Sequence, residues 1–162
     1  MKRLLIAATA CLGVVVAQDV WAAQTTTTTL AVSASVDPTC SVTASTLAFL
    51  TVHSGASVTN ANATVNVTCT SGATYDVGLD PGTHAISSQR YLAGATPTNT
   101  LMYNLYSDSG FSVPWGNTVN TDTIQGTGSG SAQVLTVYGQ IPGSQAPATD
   151  VYNDVVTITV SY

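Results

Sequence analysis

Residues 24–38, QTTTTTLAVSASVDP, read as an extended segment with one apolar face and no local partner. Leu30, Val32, Ala34 and Val36 alternate with Ala31, Ser33, Ser35 and Asp37. A period of two places the first four side chains on one face of a β-strand. The threonine run before them and Asp37-Pro38 after them supply no hairpin turn. The strand therefore needs a partner from elsewhere, in this chain or in another protein. In the second case the chain is an assembly subunit and not an enzyme.

The other end of the sequence poses the converse problem. In residues 151–162, VYNDVVTITVSY, one extended face carries Tyr152, Asp154, Val156, Ile158, Val160 and Tyr162. The opposite face carries Val151, Asn153, Val155, Thr157, Thr159 and Ser161. From Val156 onward the first face is wholly apolar and is expected to point into a core. The sequence stops inside this strand, which leaves an open sheet edge over an incomplete core, a liability that proteins normally cover. A spare strand at the start and a missing strand at the end are reconciled if one copy completes the sheet of the next by strand addition. Alternation alone leaves a second possibility open, that residues 30–36 fold back as an edge strand of their own domain.

Between these ends the pattern is all-β. Strands are expected near residues 40–50, 63–70, 74–79, 101–107, 133–141 and 151–162, broken by clusters of Gly, Pro, Asn and Asp. No window after the first residues sustains helical spacing, and β-branched residues dominate. Several short strands with turn punctuation indicate a sandwich or barrel. Gly126-Thr127-Gly128-Ser129-Gly130-Ser131 reads as a loop, since a phosphate cradle would want a lysine and a following helix.

Met1-Lys2-Arg3 followed by LLIAATACLGVVVA has the basic and apolar regions of a secretory signal, with cleavage expected at Ala22 or Ala23 and Ala17 as the alternative. The apolar run is shorter than the roughly 20 residues a membrane anchor needs. Cys11 follows Ala8-Thr9-Ala10, which lacks the leading leucine of a lipidation motif. About 140 residues remain, enough for one domain with a real core.

The mature chain keeps Arg90 as its sole Lys or Arg, against seven aspartates and no glutamate, a formal charge of −6. Nucleic-acid and anionic-membrane binding both need clustered cations, so neither fits. Loss of Cys11 leaves Cys40 and Cys69 as a pair, 29 positions apart, in an exported chain where oxidation is favoured. A disulfide is the expected outcome, because a metal or redox site would need further ligands or a CxxC spacing.

Catalysis finds little to work with. His53 and His84 stand beside Ser54-Gly55 and Gly82-Thr83, contexts of solvated turns, and no GxSxG occurs. Asp76, Asp80, Asp108, Asp122, Asp150 and Asp154 are scattered, without the concentration of oxygens a calcium loop requires. Tyr103, Tyr106, Trp115 and Tyr138 could form a carbohydrate platform, although aromatics in a sandwich more often pack in the core or between subunits. No cofactor or metal is expected.

Six segments carry a family resemblance in order along nearly the whole mature chain: DPTCSV (37–42), VNVTCTSG (65–72), LMYNLYSD (101–108), Trp115-Gly116, VYGQIP (137–142) and YNDVV (152–156). They resemble the spore coat protein U family, which includes structural subunits of archaic, Csu-type chaperone-usher pili. The resemblance implies an incomplete immunoglobulin-like β-sandwich, a disulfide between Cys40 and Cys69, and export to the periplasm. It also implies no enzymatic activity and no direct membrane insertion. A periplasmic chaperone would lend a strand to the open groove, and at the outer-membrane usher the extension of the next subunit would displace it, giving a polymer of this chain and related pilins at the cell surface. The division is then a signal peptide at 1–22, a donor-strand extension at 23–38 and a pilin domain at 39–162. Leu30, Val32, Ala34 and Val36 would be the donor side chains, and Val156, Ile158, Val160 and Tyr162 would line the acceptor groove. Such fibres serve adhesion and biofilm formation. The competing functions are a spore-coat or matrix protein built on the same fold and, further off, a secreted carbohydrate-binding module. In one place the chain departs from the family: Leu50 follows Phe49 where a glycine is more common, which alters the turn expected at residues 51–55.

Overall fold

The computed structural model describes residues 21–55, 57–96 and 98–162. The signal peptide expected at 1–22, with Cys11, lies outside these residues apart from Trp21 and Ala22. Two units are distinguished, residues 1–35 and residues 36–162.

All regular structure among the described residues is β, in nine strands: β1 (Cys40–Ala44), β2 (Thr59–Cys69), β3 (Thr74–Leu79), β4 (Tyr91–Ala93), β5 (Thr100–Met102), β6 (Asn104–Tyr106), β7 (Ile124–Thr127), β8 (Gln133–Ile141) and β9 (Ile158–Ser161). One sheet has the order β1-β2-β8-β6, a second β7-β3-β9, and β4-β5 is a separate pair. Every pairing is antiparallel. Alternation along β2 sends Ala63, Val65, Val67 and Cys69 inward, while Val137 and Ile141 do the same on β8 and Tyr75, Val77 and Leu79 on β3. The resulting core is the inter-sheet layer of a sandwich.

Trp115 joins the two sheets. It is fully buried; its backbone N–H donates to the Leu105 carbonyl of β6 at 2.9 Å, and its indole N–H to the Val77 carbonyl of β3 at 2.8 Å. A buried tryptophan needs such an acceptor for its N–H, and here the acceptor lies on the opposite sheet. Arg90 works beside it. Its guanidinium Nη2 donates to the carbonyls of Leu79 (2.8 Å), Asp80 (2.8 Å) and Trp115 (3.0 Å). Burial lowers the Arg90 pKa, and the neighbouring Tyr103 and Asp80 oppose that shift.

Residues 151–157 alternate in burial as their sequence predicts, with Tyr152, Asp154 and Val156 turned inward. The ladder to β3 spans only Ile158 to Ser161, so the strand expected over 151–162 is much shorter. β3 ends at Leu79, and beyond it the segment is held by polar links. Asp80 Oδ1 accepts from the Thr157 N–H (2.8 Å) and the Asp80 N–H donates to the Thr157 carbonyl (3.0 Å). The Asp154 side chain is only 2% exposed. It accepts hydrogen bonds from the Tyr103 hydroxyl (2.6 Å), the Thr83 hydroxyl (2.9 Å) and the His84 N–H (3.2 Å), and lies 3.0 Å from His84 Nδ1. Gly82, at φ 87°, leaves the space that this carboxylate fills; a Cβ there would overlap it. His84, expected to be a solvated turn residue, thus has a structural contact.

Other expectations shift in similar ways. The strand predicted over 40–50 closes at Ala44, and the one over 101–107 splits around Tyr103 into β5 and β6. β4 and β7 are additional. Cys40 and Cys69 are register partners on β1 and β2 and form a disulfide. Of the four aromatics, Tyr103 and Trp115 are core. Tyr106 and Tyr138 instead pack edge-on with Phe111, at centroid separations of 5.7 and 6.3 Å.

These fastenings and the disulfide set how stability responds to pH and to substitution. Burial raises the pKa of Asp154 and of Asp80, but the hydrogen bonds they accept outweigh it, so both carboxyls sit below their ordinary value. Their stabilisation is therefore present above an unfolded carboxyl pKa of about 4 and is lost as pH falls through the lower folded values. The unfolding midpoint should stay level from pH 7 to 5 and drop below pH 4. At pH 7, Asp154→Ala should cost about 2–3 kcal/mol, read from urea unfolding, because it strands the hydroxyl of the buried Tyr103 and removes the acceptor shared by Thr83 and His84. Replacing both Cys40 and Cys69 by alanine should cost about 3–4 kcal/mol on the chain-entropy account of a loop of this length.

Candidate functional site

β9 is bonded along one edge only. Ile158, Thr159, Val160 and Ser161 pair with Leu79, Gly78, Val77 and Asp76 of β3; among the described residues no strand pairs with the opposite edge. β1, beside it, is likewise the outer strand of its own sheet, bonded only to β2. β6 and β7 are the outer strands on the far side of the sandwich, and β1 and β9 are the outer strands on this one.

The side chains along this opening carry the same signature. The fully buried core residues lie on β2, β3, β5, β6 and β8 with Tyr103 and Trp115. Val42, Leu47, Phe49 and Val52 on the β1 side, and Tyr152, Val156, Ile158 and Val160 on the β9 side, pack against that core yet remain only half-buried. Leu47 and Phe49 reach inward because Gly139 of β8 leaves room for them, and Phe49 meets Tyr103 edge-on at 6.1 Å. A continuous strip of large apolar side chains left half-solvated is unusual in a closed domain.

The opening widens at both ends. Near the end of β9 is a hollow of about 430 Å³ lined by Val36, Pro38, Ala73 and Tyr162. At the other end a larger cleft, about 710 Å³, is lined by Leu47, Phe49, Leu50, Leu101, Tyr152 and their neighbours. Residues 152–162 run from the larger cleft to the smaller. Tyr162, placed by its sequence on the inward face, lies just past β9 and is 60% exposed.

Residues 24–38 form no strand or bridge, and Leu30, Val32 and Val36 are 87, 86 and 83% exposed, with Ala34 exposed as well. The strand expected at 30–36 is absent because no second strand is there to hydrogen-bond it. Val156, Ile158 and Val160 occupy the strip as their alternation predicts. The β1 side of the strip, Val42 to Val52, was not singled out from sequence, although the spacing of Leu47 and Phe49 carried the signal.

Comparison with known proteins matches this arrangement at the level of fold and family. The chain is similar to Protein U of Myxococcus xanthus, with 34% identity over 87 residues that make up 52% of this chain and 48% of that protein; it thus spans about half the length of this relative. It is also similar to a chain in the crystal structure of the CsuC-CsuE chaperone-tip adhesion subunit pre-assembly complex from the archaic chaperone-usher Csu pili of Acinetobacter baumannii. That likeness has a TM-score of 0.59 at 21% identity, covers 78% of this chain and 40% of the other, and is one of fold: an all-β, immunoglobulin-like sandwich. The model of the Spore Coat Protein U domain matches residues 26–159, and the chain belongs to that family.

Proposed function

We propose that this chain is a structural subunit of a chaperone-usher type surface fibre, in which residues 30–36 of one copy occupy the open edge beside β9 of the next. The observation that carries this reading is the fit between a strip and a segment. Val156, Ile158, Val160 and Tyr162 recur every second residue along the edge, and Leu30, Val32, Ala34 and Val36 recur every second residue along the extension. Each set spans six residue steps, about 20 Å of strand. An added strand would satisfy the free main-chain groups of β9 and finish burying both walls of the strip.

The rest of the cycle follows from that incompleteness. A folded domain with an exposed apolar groove aggregates unless capped, so a periplasmic chaperone and an outer-membrane usher are the expected partners on the way to the cell surface. Exchange needs no nucleotide if the subunit's own extension fits the groove better than the chaperone's strand. A strand buried with a full ladder leaves slowly, which suits a fibre used in adhesion and biofilm formation. Tyr106, Phe111 and Tyr138 are half-buried and pack edge-on against one another, an arrangement that suits packing more than a flat carbohydrate platform. Use of the same polymer in a spore coat or matrix is the second reading, favoured by the family to which the chain belongs. Dependence of assembly on an usher separates the two.

Deletion of residues 25–36 should leave export and chaperone capping intact while abolishing polymers, seen as loss of the ladder of heat-labile multimers on unheated gels and of fibres by electron microscopy. Val32→Asp should do nearly the same, because it would bury an unpaired carboxylate at a cost of several kcal/mol per junction. Polymers that persist after the deletion would show that the donor strand lies elsewhere.

A further inference from the structure

Leu50 violates two expectations at once. Its φ of 57° lies in the left-handed region, where the Cβ of a bulky residue crowds the backbone and glycine is favoured. Its side chain is 91% exposed. Nothing inside the domain compensates for this: Leu47, Phe49 and Val52 on either side pack against the core, and Leu50 does not. It stands on the rim of the 710 Å³ cleft, together with Val151, itself 73% exposed. A strained backbone position beside a candidate site is an observation from which function can be argued.

The surface that would reach Leu50 follows from chain direction and length, given the donor-strand reading. Every strand pair in the domain is antiparallel. A strand added to β9 in the same sense runs from the Tyr162 end toward the Tyr152 end. In the register that sets Leu30 opposite Tyr162 and Val36 opposite Val156, the extension leaves the groove at the large cleft. Only Asp37, Pro38 and Thr39 then separate it from β1 of its own domain. Three residues reach at most about 10 Å, so the folded body of the donor copy must rest against the rim where Leu50 stands.

We infer that Leu50 is a subunit contact of the assembled fibre, packing on the folded body of the copy whose extension fills the groove. The donor copy meets it with the end that carries Pro38 and Ala73, which line its smaller hollow. The contact is head-to-tail, so it repeats along the fibre without closing. It buries Leu50 only in the polymer, which accounts for a leucine at a position that suits glycine in the isolated domain.

The test uses the full-length chain exported to a bacterial periplasm, with multimers isolated and their dissociation in guanidinium followed on unheated gels. Leu50→Gly and Leu50→Ala should each speed dissociation about tenfold, the scale of one lost leucine contact. Leu50→Gly should also give at least the wild-type yield of folded, protease-resistant chain, because it removes the strain. That yield separates a weakened junction from a damaged fold. Val32→Asp is run alongside. If it abolishes multimers while Leu50→Gly dissociates within twofold of wild type, the Leu50 contact is overturned and the donor-strand reading stands. If Val32→Asp leaves multimers intact, the donor-strand reading fails and the Leu50 contact falls with it.

Discussion

A strand in an antiparallel sheet presents N–H and C=O groups to both sides, and β9 uses only one. β1, β6 and β7 are outer strands as well, but the open edge of β9 runs along the half-buried apolar strip. Closing the edge within the domain would require another strand, and leaving it in water keeps Val156, Ile158 and Val160 half-solvated over a core that is otherwise dry. Hydration of the backbone and burial of the side chains cannot both be satisfied there by one copy.

Both walls of the opening are fastened from behind, away from the opening itself. β1 is tied to β2 by the Cys40–Cys69 disulfide, and the segment leading into β9 is tied through Asp80 and Asp154 to the loop after β3 and to Tyr103. Trp115 and Arg90 hold the two sheets at their spacing through hydrogen bonds to backbone carbonyls of β3, its following residue and β6. These links are directional, whereas the attraction between the two apolar walls is not. The geometry opposes collapse of one wall onto the other, which keeps the opening in place.

Period-two alternation located β3 and β8 at their observed bounds, because both strands have a buried face and a polar or half-exposed face. It overextended the strands at 40–50 and 151–162. In those segments side chains continue to alternate in burial after the ladder has ended, and alternation reports burial, not hydrogen bonding. It passed over the β1 side of the strip for the same reason, since Leu47, Phe49 and Val52 belong to no strand. Leu50 was conspicuous by its type, yet only its backbone angle showed why.

The sequence by itself determined the all-β class, the pairing of Cys40 with Cys69, the apolar alternation of the extension and the inward face from Val156 to Val160. These are local or compositional matters, set by side-chain period, residue type and the small number of cysteines. Tertiary structure alone decided that Asp154 is a buried anchor, that Trp115 spans the sheets, that Tyr162 is 60% exposed at the end of the strip, and that β9 lies at an edge beside β1. Each depends on which distant segments become neighbours, and hydrogen-bond partners 38 or 51 positions apart, as in Trp115 to Val77 and Tyr103 to Asp154, leave no periodic trace in a chain.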